Sequence, residues 1–153
     1  METTCILVES WGWLTMTGAE KKIKVLLAKL GLEVHWRGVI TVAGMLRDAG
    51  MEVIYVGNAF PEQIVKAAIQ EDVDVVGIST LGGNHLTQGG ELLDIAARSG
   101  IKDSTLFLIG GVFPPYDEPR LREIGFDGIF APGATRGEIV GFIKEAMATR
   151  ATT

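Results

Sequence analysis

The chain contains one cysteine, Cys5, in 153 residues, which excludes an internal disulfide and leaves any thiolate zinc site without a second sulfur. A reducing, cytoplasmic setting is the expectation. There is no apolar run of the ~20 residues that cross a bilayer, and the mildly apolar opening lacks the basic start of a secretory leader. There is no block of one charge either: 14 Lys and Arg against 19 Asp and Glu give a formal net charge of -5, so nucleic acid is not an expected partner. A dinucleotide fingerprint is also missing. Where G-x-G-x-x-G would cradle a pyrophosphate, the loop reads Lys29-Leu30-Gly31-Leu32-Glu33.

What is present is a regular alternation of short apolar runs and helical periods. Ile23 to Ala28, Glu52 to Val56, Val73 to Ile78, Thr105 to Ile109 and Asp127 to Phe130 read as strands. Helices are expected over Trp36 to Ala49, from Pro61 onward, over Leu86 to Arg98 with Gly89-Gly90 weakening its first turn, over Glu118 to Ile124 and over Glu138 to Ala148. Gly57-Asn58 read as a turn after the second strand. Five β-α steps predict an α/β fold: a flavodoxin-like (Rossmann-like) parallel sheet of order 2-1-3-4-5, with right-handed crossovers and helices on both faces. The length suits one domain, which would bury roughly two thirds of its unfolded surface. The domain is placed at residues 21–150, after an N-terminal extension of residues 1–20 that reads as a strap over the core, a partner-docking segment or a partly disordered stretch, with Trp11 and Trp13 favouring docking over disorder. The last residues, Ala151 to Thr153, are expected to fray.

In such a sheet ligands bind at the carboxyl ends of the strands, at the crevice between strands one and three. His35 and His85 both fall on that edge, as do Gly82-Gly83 and Gly110-Gly111. Loop one lacks a hydroxyl-rich phosphate cradle and a receiver's acidic pair, and the third strand ends in Ser79 rather than aspartate. What it carries is Glu33-Val34-His35-Trp36-Arg37-Gly38. A metal-ligating imidazole generally donates its other N–H to a carboxylate, so His35 is a candidate metal ligand with Glu33 behind it. Gly38 would admit a ligand without a Cβ in the way. A loop histidine bonded to a nearby acid is the plainer alternative, and the glycine pairs on loops three and four weigh against it. No histidine stands in motif spacing to activate Ser79 as a nucleophile. Arg37, Lys29 and Asp48 read as solvated or domain-facing charges.

From Ile23 to Ile143 the chain resembles the cobalamin (vitamin B12)-binding domain of the adenosylcobalamin-dependent mutases, of the methylmalonyl-CoA mutase type. The resemblance rests on Leu26 to Glu33, His35, Arg37-Gly38, Leu46 to Tyr55, Pro61 to Gly77, Ser79-Thr80-Leu81, Gly110-Gly111-Val112 and Pro132-Gly133. It implies the family pattern D-x-H-x-x-G, S-x-L and G-G, in which the histidine replaces the cofactor's own base as lower axial cobalt ligand. His35 would then be that ligand and the metal site, with Glu33 in the aspartate position and Gly38 as the motif glycine. Ser79 and Leu81 would flank the displaced nucleotide tail, and Gly110 and Gly111 would lie beneath it. Arg37, Gly83, Phe130, Pro132 and Gly133 complete the implied cofactor-binding set. Val34 and Trp36 replace a glycine and an aspartate of the acyl-CoA group, and Ile40 replaces a lysine. His85 matches a family histidine that does not bind cobalt, and a local hydrogen bond in its loop is expected.

The resemblance further implies an isomerase subunit, inactive alone, with adenosylcobalamin as cofactor and a large TIM-barrel subunit to bind substrate. A non-catalytic corrinoid carrier, sensor or chaperone is the alternative. Against a methyl carrier, residues 1–22 are too few for the helical bundle that precedes such domains; a scaffold with a lost site is a third possibility.

Overall fold

The computed structural model describes residues 21–151. The expectations for the opening extension and for Thr152 and Thr153 lie outside the described residues. The elements alternate as β1 Lys24–Leu30, α1 Arg37–Asp48, β2 Glu52–Ala59, α2 Pro61–Glu71, β3 Val75–Thr80 and α3 Thr87–Arg98. They continue with β4 Leu106–Gly111, a 3-10 turn Pro115–Asp117, α4 Glu118–Ile124, β5 Gly128–Phe130 and α5 Arg136–Ala151. The strands form one parallel sheet in the order β2-β1-β3-β4-β5. The expected 2-1-3-4-5 topology is therefore present.

Side chains alternate across each strand, and the alternation divides the core in two. Leu26, Ala28, Val76, Ile78, Phe107 and Ile109 pack against α2, α3 and α4 through Ile64, Val65, Leu92, Ala96 and Leu121. Val25, Leu27, Val75, Leu106 and Leu108 pack against α1 and α5 through Val39, Ala43, Leu46, Ile139 and Ile143. Because both faces of β1, β3 and β4 are covered, these strands are apolar at nearly every position.

Three local expectations are corrected. First, β2 does not turn at Gly57-Asn58. It continues to Ala59, and a register shift sets Leu27 against Tyr55 and Lys29 against Asn58, so that Val56 and Gly57 together oppose Ala28. Gly57, at φ +73°, supplies the left-handed residue of that bulge. Second, α3 runs through Gly89-Gly90. A Cβ on Gly89 would lie 3.2 Å from the Phe126 ring, so the glycine lets the helix press onto α4's side of the core. Third, α5 starts two residues earlier than expected, because Thr135 and Glu138 form a reciprocal cap. The Thr135 hydroxyl accepts the Glu138 N–H at 3.2 Å and donates to Oε2 at 2.9 Å, while the Thr135 N–H reaches Oε2 at 3.4 Å.

Candidate cofactor site

Between β1 and α1 the chain buries a carboxylate. Glu33 is 4 % exposed, which is costly unless its oxygens are fully used. They are. Oε1 accepts the backbone N–H of His35 at 3.0 Å and lies 2.5 Å from His35 Nδ1. Oε2 accepts the N–H of Leu81 at 2.6 Å, from the loop that follows β3. Burial pushes the Glu33 pKa up, but the His35 N–H, its imidazole and the Leu81 N–H outweigh it and hold the pKa at about 2.

That arrangement fixes the imidazole. An ionised carboxylate only accepts, so Nδ1 of His35 must be the donor, and in the neutral ring Nε2 then carries the free lone pair. The His35 side chain is 58 % exposed, so the ring is backed by a buried anchor and open in front. Glu33 thus bridges the loop after β1 to the loop after β3.

His35 stands at the mouth of a cavity of about 730 Å³ that opens at the carboxyl edge of the sheet. Its inner wall is aliphatic, formed by Val25, Leu27, Leu46, Leu108, Ile139 and Ile143. The cavity thus enters the α1/α5 layer of the core and extends from β1 past β3 to β4, wider than a cleft between strands one and three. Of the expected site residues, His35, Arg37, Gly38, Ser79, Leu81, Gly110, Gly111, Phe130, Pro132 and Gly133 all line it. Glu33 sits behind His35, and Gly83 is not part of the lining. Val34, Trp36, Thr41, Met45 and Val112 also line it. Thr41 and Met45 lie on α1, where helical periodicity does not reveal which face is left short of packing partners.

The glycines of the rim differ in cause. Gly38, in the first turn of α1, has open space where a Cβ would be, so its surface is free for a ligand. Gly111 is fixed by the fold: at φ +146° a Cβ would fall 1.8 Å from the Thr80 carbonyl oxygen. Its role is first the close approach of the β4 end to the β3 end, and it also lines the cavity.

His85 corrects an expectation. It is buried, and its partner is not in its own loop but Asp117, whose Oδ2 lies 2.8 Å from Nε2 across 32 residues. Phe113 stacks on the ring with centroids 5.2 Å apart. The pair therefore ties the start of α3 to the β4-α4 loop. Among the described residues no group of three or more His, Cys, Asp or Glu is placed to hold a bare metal ion. A metal at His35 would have to bring most of its own ligands.

Residues 23–140 match the family described as B12 binding domain. The chain belongs to that family. Among curated proteins, this B12-binding domain is 42 % identical to the 2-hydroxyisobutanoyl-CoA mutase small subunit of Aquincola tertiaricarbonis, over 84 % of this chain and 94 % of that protein. It is 40 % identical to the pivalyl-CoA mutase small subunit of Xanthobacter autotrophicus, over 78 % of this chain and 80 % of that one. The methylmalonyl-CoA mutase large subunit of Propionibacterium freudenreichii is 36 % identical over 84 % of this chain, which spans 18 % of that protein.

Among solved structures, a cobalamin-binding protein from Desulfitobacterium hafniense superposes with a TM-score of 0.71 at 23 % identity, over 82 % of this chain and 59 % of that one. The receiver domain of NarL from Mycobacterium tuberculosis has the same fold, with a TM-score of 0.63 at 18 % identity, over 83 % of this chain and 97 % of that one. At these identities the likeness is one of fold. No helix among the described residues is long and apolar enough to cross a membrane.

The residues fit a bulky cobalt chelate. One imidazole presents a free Nε2, the bordering Gly38 position is open, and the adjoining cavity has an aliphatic wall that suits an apolar ring.

Proposed function

We propose that this B12-binding domain is the small subunit of an adenosylcobalamin-dependent acyl-CoA carbon-skeleton mutase. It holds the cofactor base-off, with His35 as the lower axial cobalt ligand. The observation that carries this reading is the Glu33-anchored imidazole of His35 at the mouth of the 730 Å³ cavity. The names of its relatives support the substrate class and the subunit role, since two of them are acyl-CoA mutase small subunits covered over 94 % and 80 % of their length.

Bound adenosylcobalamin supplies a cobalt–carbon bond whose homolysis provides the radical for a 1,2-rearrangement. This chain's residues bind and orient. Glu33 holds the proton on Nδ1 and so keeps Nε2 available. Ser79, Leu81, Gly110 and Gly111 line the cavity that receives the displaced nucleotide tail, with Phe130, Pro132 and Gly133 at its far side. Arg37 borders the mouth, and Gly38 leaves room there. The aliphatic wall excludes water from around the tail. A large TIM-barrel subunit provides the acyl-CoA site and closes over the exposed side of His35.

The test is an anaerobic titration in the dark with cobalamin, followed by electron paramagnetic resonance of the cob(II)alamin form on protein carrying nitrogen-15 histidine. Cobalt lines split by the labelled nitrogen, and lost in His35→Ala, are expected. Splitting by the cofactor's own nitrogen would exclude His35 as ligand. Co-purification with a barrel-sized subunit then tests the mutase assignment against a carrier, sensor or chaperone role.

A further inference from the structure

Three donors converge on Glu33: the backbone N–H of His35, its ring Nδ1 and the N–H of Leu81. Only a carboxylate offers acceptor oxygens on both sides. An amide would have to turn its NH₂ toward one of the two loops. The Glu33 carboxylate is buried, the residue being only 4 % exposed. Water is thus kept from substituting for either loop's donor. One side chain therefore joins the imidazole to the backbone of the loop whose Ser79 and Leu81 line the cavity.

The length of the side chain matters. Aspartate is shorter by one carbon–carbon bond, about 1.5 Å. It can still accept from the N–H two residues on, a bond that Asp side chains make readily. With the loops in place, however, the 2.6 Å contact to Leu81 would open to roughly 4 Å, beyond hydrogen-bonding range.

We infer that Glu33 is a positioning residue that couples the two halves of the ligand site. A nucleotide tail seated against Ser79 and Leu81 steadies loop three, and through the Leu81 N–H and Glu33 it steadies the orientation in which His35 presents Nε2. The domain thereby favours a complete corrinoid over a tail-less one by more than the tail's own contacts provide. This rests on the reading of His35 as the cobalt ligand. The coupling is a free energy shared by two subsites and requires no large motion, only that the unfilled loop samples more than one arrangement.

The experiment compares affinities for cobalamin and for cobinamide, which lacks the nucleotide tail, in the wild type, in Glu33→Asp and in a Leu81 amide-to-ester variant that removes only the N–H. The preference for cobalamin is expected to fall about tenfold or more in both variants, the scale of one charge-assisted hydrogen bond. In the ligand-free protein, nitrogen-15 NMR should show the Leu81 amide proton far downfield in the wild type and shifted upfield in Glu33→Asp, with core amides such as Phe107 unmoved. An unchanged preference together with an unmoved Leu81 amide overturns the coupling, even where nitrogen-15 histidine splitting upholds His35 as ligand. A wild type that binds cobalamin without that splitting overturns the ligand reading and the coupling with it. If Glu33→Asp fails to fold, the ester variant decides.

Discussion

Glu33 accepts the N–H of Leu81 at 2.6 Å across 48 residues of sequence, with the same carboxylate that holds His35. The loops after β1 and β3 are therefore one unit, and several outcomes depend on that.

Acid should weaken the fold through Glu33. Its folded-state pKa, about 2, lies below the ordinary 4.5. A depressed carboxyl pKa stabilises the folded state fully above the unfolded value and loses that contribution as pH falls toward the folded one. Between about pH 5 and pH 2 this group alone should withdraw on the order of 3 kcal/mol. Urea midpoints taken across that range should fall steeply in the wild type and less steeply in Glu33→Gln, which starts lower. Parallel slopes would show that the carboxylate is not what titrates.

His35→Ala should leave the fold alone. The ring is mostly exposed, and its loss is expected to change stability by less than ~1 kcal/mol, while cobalamin affinity falls at least tenfold. Thermal unfolding beside a spectrophotometric titration separates the two effects.

The rim glycines should respond in opposite ways to alanine. Gly111→Ala meets the Thr80 carbonyl and a positive φ, and a loss of roughly 3 kcal/mol or more is expected. Gly38→Ala meets nothing within 4 Å and sits in a helix. It should fold as well as the wild type, within about 1 kcal/mol, yet bind cobalamin less well. Chemical denaturation with a parallel binding curve checks both; a stable Gly111→Ala would contradict the close approach of β3 and β4.

Asp117→Ala removes the hydrogen-bond partner of the buried His85 ring, whose Nδ1 has none among the described residues. A loss of about 1–3 kcal/mol is expected, and Asp117→Asn, which keeps an acceptor, should lose less. Equal melting temperatures for the two variants would mean that the carboxylate does not hold His85.

Thr135→Ala should shorten α5 and cost about 1 kcal/mol, the usual value of an N-cap. Helical content and the melting temperature report it together.

The sequence by itself determined the order of elements, the parallel sheet and the edge on which chemistry would lie. Apolar runs without alternation mean strands covered on both faces, and β-α repetition with right-handed crossovers leaves few topologies. Glu33 and His35 are two residues apart, so their contact was legible as a local one. Some local signals carried two meanings that no window of sequence separates. Gly57 was equally a turn or a bulge, and the pairing of β1 with β2 chose the bulge. Gly89-Gly90 weakened a helix on propensity, and contact with Phe126 overruled that. Thr135-Arg136-Gly137-Glu138 has the T-x-x-E spacing of a capping box, and the bonds it makes start α5 at Arg136. What only the tertiary structure decided are the long-range unions: Leu81 with Glu33, His85 with Asp117, Gly111 with Thr80, and the cavity left between the sheet and α1 and α5. Each joins segments far apart in the chain. Their geometry depends on strand register and helix packing, which are settled by the whole core at once rather than by any stretch of it.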